Sequence, residues 1–221
     1  MLVKKRHPTP ADLGLTPEES RVFRRLSNPR RIQAYLIALP ANFEENGDTL
    51  RSVRGVLRYG KAHCMEAAFF AACALWLNGD PPLLMDLTAS GDSDHVVAVY
   101  RRDGCWGSIS KSNHVWLRSR DPVYRTLREL AMSYFHEYTN NERKTLRGHS
   151  EAFDLRRFPV EQWVTGARHC WEIGAALDDH PHHRLITAAQ ARNLAPRDAF
   201  EMKADALVQH QSADRRRAHW Y

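Results

Sequence analysis

Apolar and polar positions alternate along the 221-residue chain with two different periods. Ile32, Tyr35, Leu36 and Leu39 recur at helical spacing behind Asn28 and Pro29, so a helix is expected there, ended by Pro40. An earlier helix is expected at "LTPEES", where Thr16 can cap, Pro17 fits the first turn and Glu19 completes a capping box. "NFEENGD" reads as a loop and "TLRSVRGVLRYG" as a short helix or turn segment. From Cys64 to Leu77 the period is helical again, with Cys64, Ala68, Ala71 and Leu75 on one face, and "NGDPP" stops it. "LLMDLTA" (83–89), "DHVVAVYRR" (94–102) and "CWGSISKS" (105–112) read as three strands. Asp103-Gly104 is a two-residue hairpin turn between the last two, pairing Arg102 with Cys105.

Beyond the hairpin, residues 121–138 read as a helix opened by Asp121 and Pro122, and residues 139–151 as a polar loop. "EAFDLRRF" is a candidate strand; "PVEQWVTG" and "CWEIGAALDD" are short helices. A last helix starts at Thr187, is interrupted by Pro196 and resumes through "APRDAFEMKADALVQHQ". Helices flanking a small antiparallel sheet define an α+β fold. The expected organisation is a flexible arm over 1–14, a single domain over 15–210 and a polar basic tail over 211–221.

Charge and cysteine usage narrow the classes. The formal net charge is +6, but basic residues are scattered, without zinc-finger spacing or a basic region followed by heptads, so a nucleic-acid partner is not expected. "AAFFAACALWL" is too short to cross a bilayer, and no apolar segment follows "KKR", so neither a membrane span nor a signal peptide is expected. Four irregularly spaced cysteines suit a reducing compartment, and the expected location is cytoplasmic. "DDHPHHR" (178–184) contains metal-ligand types, but its crowding and Pro181 favour a polar loop; no metal or cofactor is expected.

Candidate chemistry centres on Cys64. Backbone N–H groups at a helix start stabilise a thiolate, and a thiolate is a strong nucleophile. His95 opens a strand whose alternation puts His95, Val97 and Val99 on one face, and the Asp103-Gly104 register brings Ser110 diagonally onto that face. Asn113 falls on the other face unless the strand bends, and Asp86 stands on the neighbouring strand. His63 is expected at the rim, since adjacent helical side chains diverge by about 100°. Glu66 is expected as a first-turn acid favoured by the helix dipole. Tyr59 or the Gly60-Lys61 backbone, with the Cys64 N–H, are candidates for stabilising an oxyanion.

The run "GKAHCMEAAFFAACAL", then "DHVVAVY", then a hairpin and "GCWGSIS", resembles the transglutaminase-like superfamily of papain-type folds over about residues 55–113. That resemblance implies a nucleophilic Cys64, a His95 general base and cofactor-free thiol acyl chemistry on a peptide, protein or small amide or ester. The family's Asp, expected shortly after Trp106, is replaced here by Ser110, which offers a hydrogen bond but no charge. Two functions follow as alternatives: a protease, amidase or transglutaminase-like enzyme, or a binding or scaffold protein with an impaired triad. A serine partner also implies a weaker thiolate–imidazolium pair than an acid would give.

Overall fold

The computed structural model describes residues 7–211. Four helices precede the sheet: α1 (Pro17–Arg24), α2 (Pro29–Ala38), α3 (Val53–Tyr59) and α4 (Cys64–Leu77). Strands β1 (Leu83–Ala89), β2 (His95–Arg102), β3 (Cys105–Ile109) and β4 (Arg120–Tyr124) follow, then α5 (Leu127–Met132). The rest comprises β5 (Thr139–Asn140), β6 (Arg143–Lys144), β7 (Leu146–Ser150), β8 (Phe153–Asp154), α6 (Val160–Trp163), α7 (Trp171–Asp178), β9 (His182–Arg184), α8 (Ala188–Arg192) and α9 (Ala199–Asp205). The architecture is mixed α+β, with helices flanking an antiparallel sheet of order β4-β3-β2-β1-β7-β9, and β8 also pairing with β1.

Local chemistry sets the helix starts. Thr16 and Glu19 form the expected capping box of α1, and Asn28 accepts the Arg31 N–H at the start of α2. Asp103 and Gly104 both have positive φ (50° and 80°), and the hairpin register runs from Arg102↔Cys105 to Ala98↔Ile109, as the sequence predicts. The first segment departs from expectation. Residues 7–14 are no loose arm, because Leu13 is 1% exposed in the core and the Gly14 carbonyl accepts from Arg54. Residues 1–6 and nearly all of the expected tail lie outside the described residues.

Helix α4 is buried on every side from Glu66 to Leu75, not on one face. Its alanines lie against Val96, Ala98 and Leu84 of the sheet, while Phe70 stacks between Phe23 and Tyr35 from α1 and α2. Small side chains on this helix let it sit close to the sheet. Ala71→Leu is therefore expected to destabilise the protein by about 1–3 kcal/mol through overpacking, measured by urea unfolding.

The opposite sheet face carries Met85, Leu87, Val97 and Val99 under Leu130, Tyr134, Phe135 and Tyr138. Two expectations fail on this side. Residues 120–124 form an edge strand, with Trp106 paired to Tyr124, and the helix begins only after the Thr126 cap. Proline at position 122 is compatible with an edge strand, where one N–H needs no partner. Residues 139–151 are not a loop: β7 lies between β1 and β9. Its polar "LRGHS" hides the strand, yet a Cβ on Gly148 would meet Thr88 Oγ1 at 2.6 Å, so the close approach requires glycine. "DDHPHHR" likewise contributes strand β9, and "EAFDLRRF" is strand for only two residues before a 3₁₀ turn.

Candidate active site

Cys64 is the first residue of α4 and is partly exposed, while His63 before it is the N-cap. Gly60, in the left-handed region at φ 64°, ends α3 and turns the chain toward this helix. The Gly60 N–H is spent on the Val56 carbonyl at 2.9 Å, so it does not serve as an oxyanion donor. The Tyr59 ring lies under the Arg51 guanidinium, 4.6 Å from it. The Cys64 N–H, at the first helical position, has no intrahelical acceptor.

His95 begins β2 opposite Leu87 and is buried. Its Nε2 lies 2.6 Å from Ser110 Oγ, and the Ser110 hydroxyl donates to the Leu117 carbonyl at 2.8 Å. Because that hydroxyl proton is committed, Ser110 must accept from His95 Nε2–H, which leaves Nδ1 as the ring's lone-pair nitrogen in the neutral form. The orienting contact thus falls on Nε2. Ser110 is itself clamped: Gln33 donates to its carbonyl at 2.7 Å and accepts its N–H at 3.0 Å. Asn113 does not orient His95. Its amide pairs with the backbone of His210, donating at 3.1 Å and accepting at 2.8 Å.

Burial pushes the Cys64 thiol up, but hydrogen bonds from the His63 and His95 imidazoles, with their charges, outweigh it and bring the thiol down to about 5. Two imidazoles, not one, act on the sulfur. His63 is not at the rim: it is 8% exposed, with Nε2 donating to the Thr49 carbonyl at 2.9 Å. Burial pushes His63 down, and the Cys64 sulfur with the Glu66 and Glu44 carboxylates raises it to about 9. Met65 N–H reaches His63 Nδ1 at 3.3 Å, a long contact used by the neutral ring; the protonated ring gives it up.

Glu66 completes this N-terminus. It is fully buried, its Oε1 accepting from Thr49 Oγ1 and Arg51 N–H, its Oε2 from Asn42 Nδ2 and His63 N–H, at 2.8 to 3.2 Å. The His-x-x-Glu spacing of a capping box was the sequence signal for both roles. Beside His95 a cleft with about 410 Å³ of empty space is lined by Asp92, Asp94, Ser112, His114, Tyr138 and Asp205.

Asp86 does not orient His95, which lies on the other face of the sheet. It pairs with Val96 on the α4 side of the sheet, and its Oδ2 lies 3.2 Å from His182 Nε2. Burial and the nearby Asp94 charge raise its carboxyl to about 7, against the lowering effect of His182. His182 Nδ1–H donates to the His180 carbonyl at 2.5 Å, so a neutral His182 presents an Nε2 lone pair that protonated Asp86 can donate to. A carboxyl raised in the folded state contributes stability at low pH that is lost as pH rises through about 7. Asp86→Asn, which keeps a donor for Nε2, is expected to raise the melting temperature at pH 8 and flatten its decline between pH 4 and 8. Thermal melts across that range check it.

All four cysteines are free, with Cys73 and Cys170 buried. No cluster of three or more His, Cys, Asp or Glu suited to a metal occurs among the described residues, and no helix among them is long and apolar enough to cross a membrane. No family model matches the chain and no curated protein matches it, so its own geometry carries the functional reading.

Proposed function

We propose that the protein is a cofactor-free thiol acyl-transfer enzyme on a papain-type, transglutaminase-like core, with Cys64 as nucleophile and His95 as general base and acid. The reading is carried by a partly exposed Cys64 at the start of α4, capped by His63, together with a buried His95 whose free nitrogen is set by Ser110; the two imidazoles together hold the thiol down. The Cys64 thiolate attacks an amide or ester carbonyl, and the tetrahedral oxyanion forms next to the Cys64 N–H at the helix start. His95, protonated at Nδ1, returns that proton to the leaving amine or alcohol as the carbonyl reforms. Neutral again, it takes a proton from water or an amine attacking the thioester, releasing acid or a new amide and regenerating Cys64.

The charge that Ser110 cannot supply is made up on the other side of the sulfur. His63, held by Glu66 and Glu44, stabilises the resting thiolate, so His95 need not be its sole counter-ion. The scaffold alternative draws on the same serine and predicts no covalent turnover. p-Nitrophenyl acetate separates the two. A nitrophenol burst with acetyl on Cys64 by peptide mass spectrometry supports the enzyme, whereas no burst and an unmodified Cys64 support the scaffold.

A further inference from the structure

A second cleft, with about 700 Å³ of empty space, lies between α3 and the turn at 166–169 and includes none of Cys64, His95 or Ser110. Its wall is cationic: Arg51, Arg54, Arg58, Arg168 and His169 line it, with the Tyr59 ring 57% exposed. These cations are unequally occupied. Arg54 is taken by Glu19, donating at 2.7 and 2.9 Å. Arg58 and Arg168 form no ion pair with a carboxylate among the described residues.

Arg51 supplies a second, independent observation. Its guanidinium stacks on Tyr59, and its Nη1 is buried with no hydrogen-bond partner, while Glu66 Oε2 stands 3.8 Å off, too far for a hydrogen bond. Held by Tyr59 and by Glu66, the guanidinium is fixed at the cleft wall in advance, with Nη1 turned inward and the rest of the fork left to face the cleft. His169 is preset as a donor as well. Its Nδ1 accepts the Leu50 N–H at 2.7 Å, so the remaining ring proton sits on Nε2, and the ring is stacked on Trp171.

We propose that this cleft binds the phosphate group of a small molecule, gripped by Arg51, Arg58, Arg168 and His169. Three guanidinium forks and an imidazole N–H offer more donors, from more directions, than the two oxygens of a carboxylate can use; a tetrahedral phosphate matches them.

The test is a ¹⁵N–¹H NMR titration of the full chain with inorganic phosphate in low salt, with acetate as the carboxylate arm. Saturable shifts centred on residues 51–59 and 166–169 are expected, with acetate weaker. An Arg58→Ala/Arg168→Ala variant should weaken phosphate binding by about tenfold or more, with an unchanged melting temperature. An Arg24→Ala/Arg25→Ala variant, which removes the same charge from exposed positions of α1 and its cap, should not. Shifts that never saturate, equal losses in both variants, or acetate binding as tightly as phosphate would each overturn the proposal.

Discussion

His95→Ala is expected to reduce turnover of p-nitrophenyl acetate by roughly 10²–10⁴-fold, the usual contribution of a positioned acid–base group. The same change removes one of the two imidazoles that lower the Cys64 thiol, so its alkylation by iodoacetamide at pH 6 should slow as well. The fold should survive, because Ser110 keeps its hydroxyl bond to Leu117 and its backbone bonds to Gln33. Thermal melts recorded beside the kinetics establish that loss of activity is not loss of structure. Turnover within a few-fold of wild type would remove His95 from the mechanism.

The second large effect is on stability. Glu66→Ala would leave four donors facing a dry void: Asn42 Nδ2, Thr49 Oγ1, Arg51 N–H and His63 N–H. Breaking a buried charged network by removing one member costs about 3–5 kcal/mol. For a chain of this size that corresponds to a drop of roughly 6–20 °C in melting temperature, measured by calorimetry. Glu66→Gln fills the same volume and still accepts at Oε1, but its amide nitrogen would face the Asn42 and His63 donors, so its drop should fall between wild type and Glu66→Ala. Equal melting temperatures for wild type and Glu66→Ala would show that this network does not hold the mouth of α4.

Much of the site could be read from residue order, for identifiable reasons. The Asp103-Gly104 turn permits one tight register, and that register alone puts Ser110 on the face of His95 and keeps Asn113 off it. The alanine-rich segment and its polar stop set α4 at Cys64–Leu77. His63 escaped because the 100° divergence of neighbours applies inside a helix. As N-cap it has extended backbone (φ −92°, ψ −177°), and its side chain folds back over the first turn toward the sulfur. Strand β7 escaped because it buries the polar His149 and Ser150 beside Gly148, whose lack of a side chain permits the close approach to Thr88, and a register shift between Thr88 and Ala89 breaks any apolar alternation. The stretch 120–138 carried helix-like apolar spacing over both an edge strand and a short helix, and only the Thr126 cap marks the boundary.

The central claim is that Cys64 rests as a thiolate held between two imidazoles. Its direct test is the ultraviolet absorbance of the thiolate, titrated from pH 3 to 10 as the difference between wild type and Cys64→Ser. The account predicts a midpoint at about 5, with the thiolate signal lost as pH falls through that value. A midpoint near 8.5, the value of an ordinary cysteine, would contradict it.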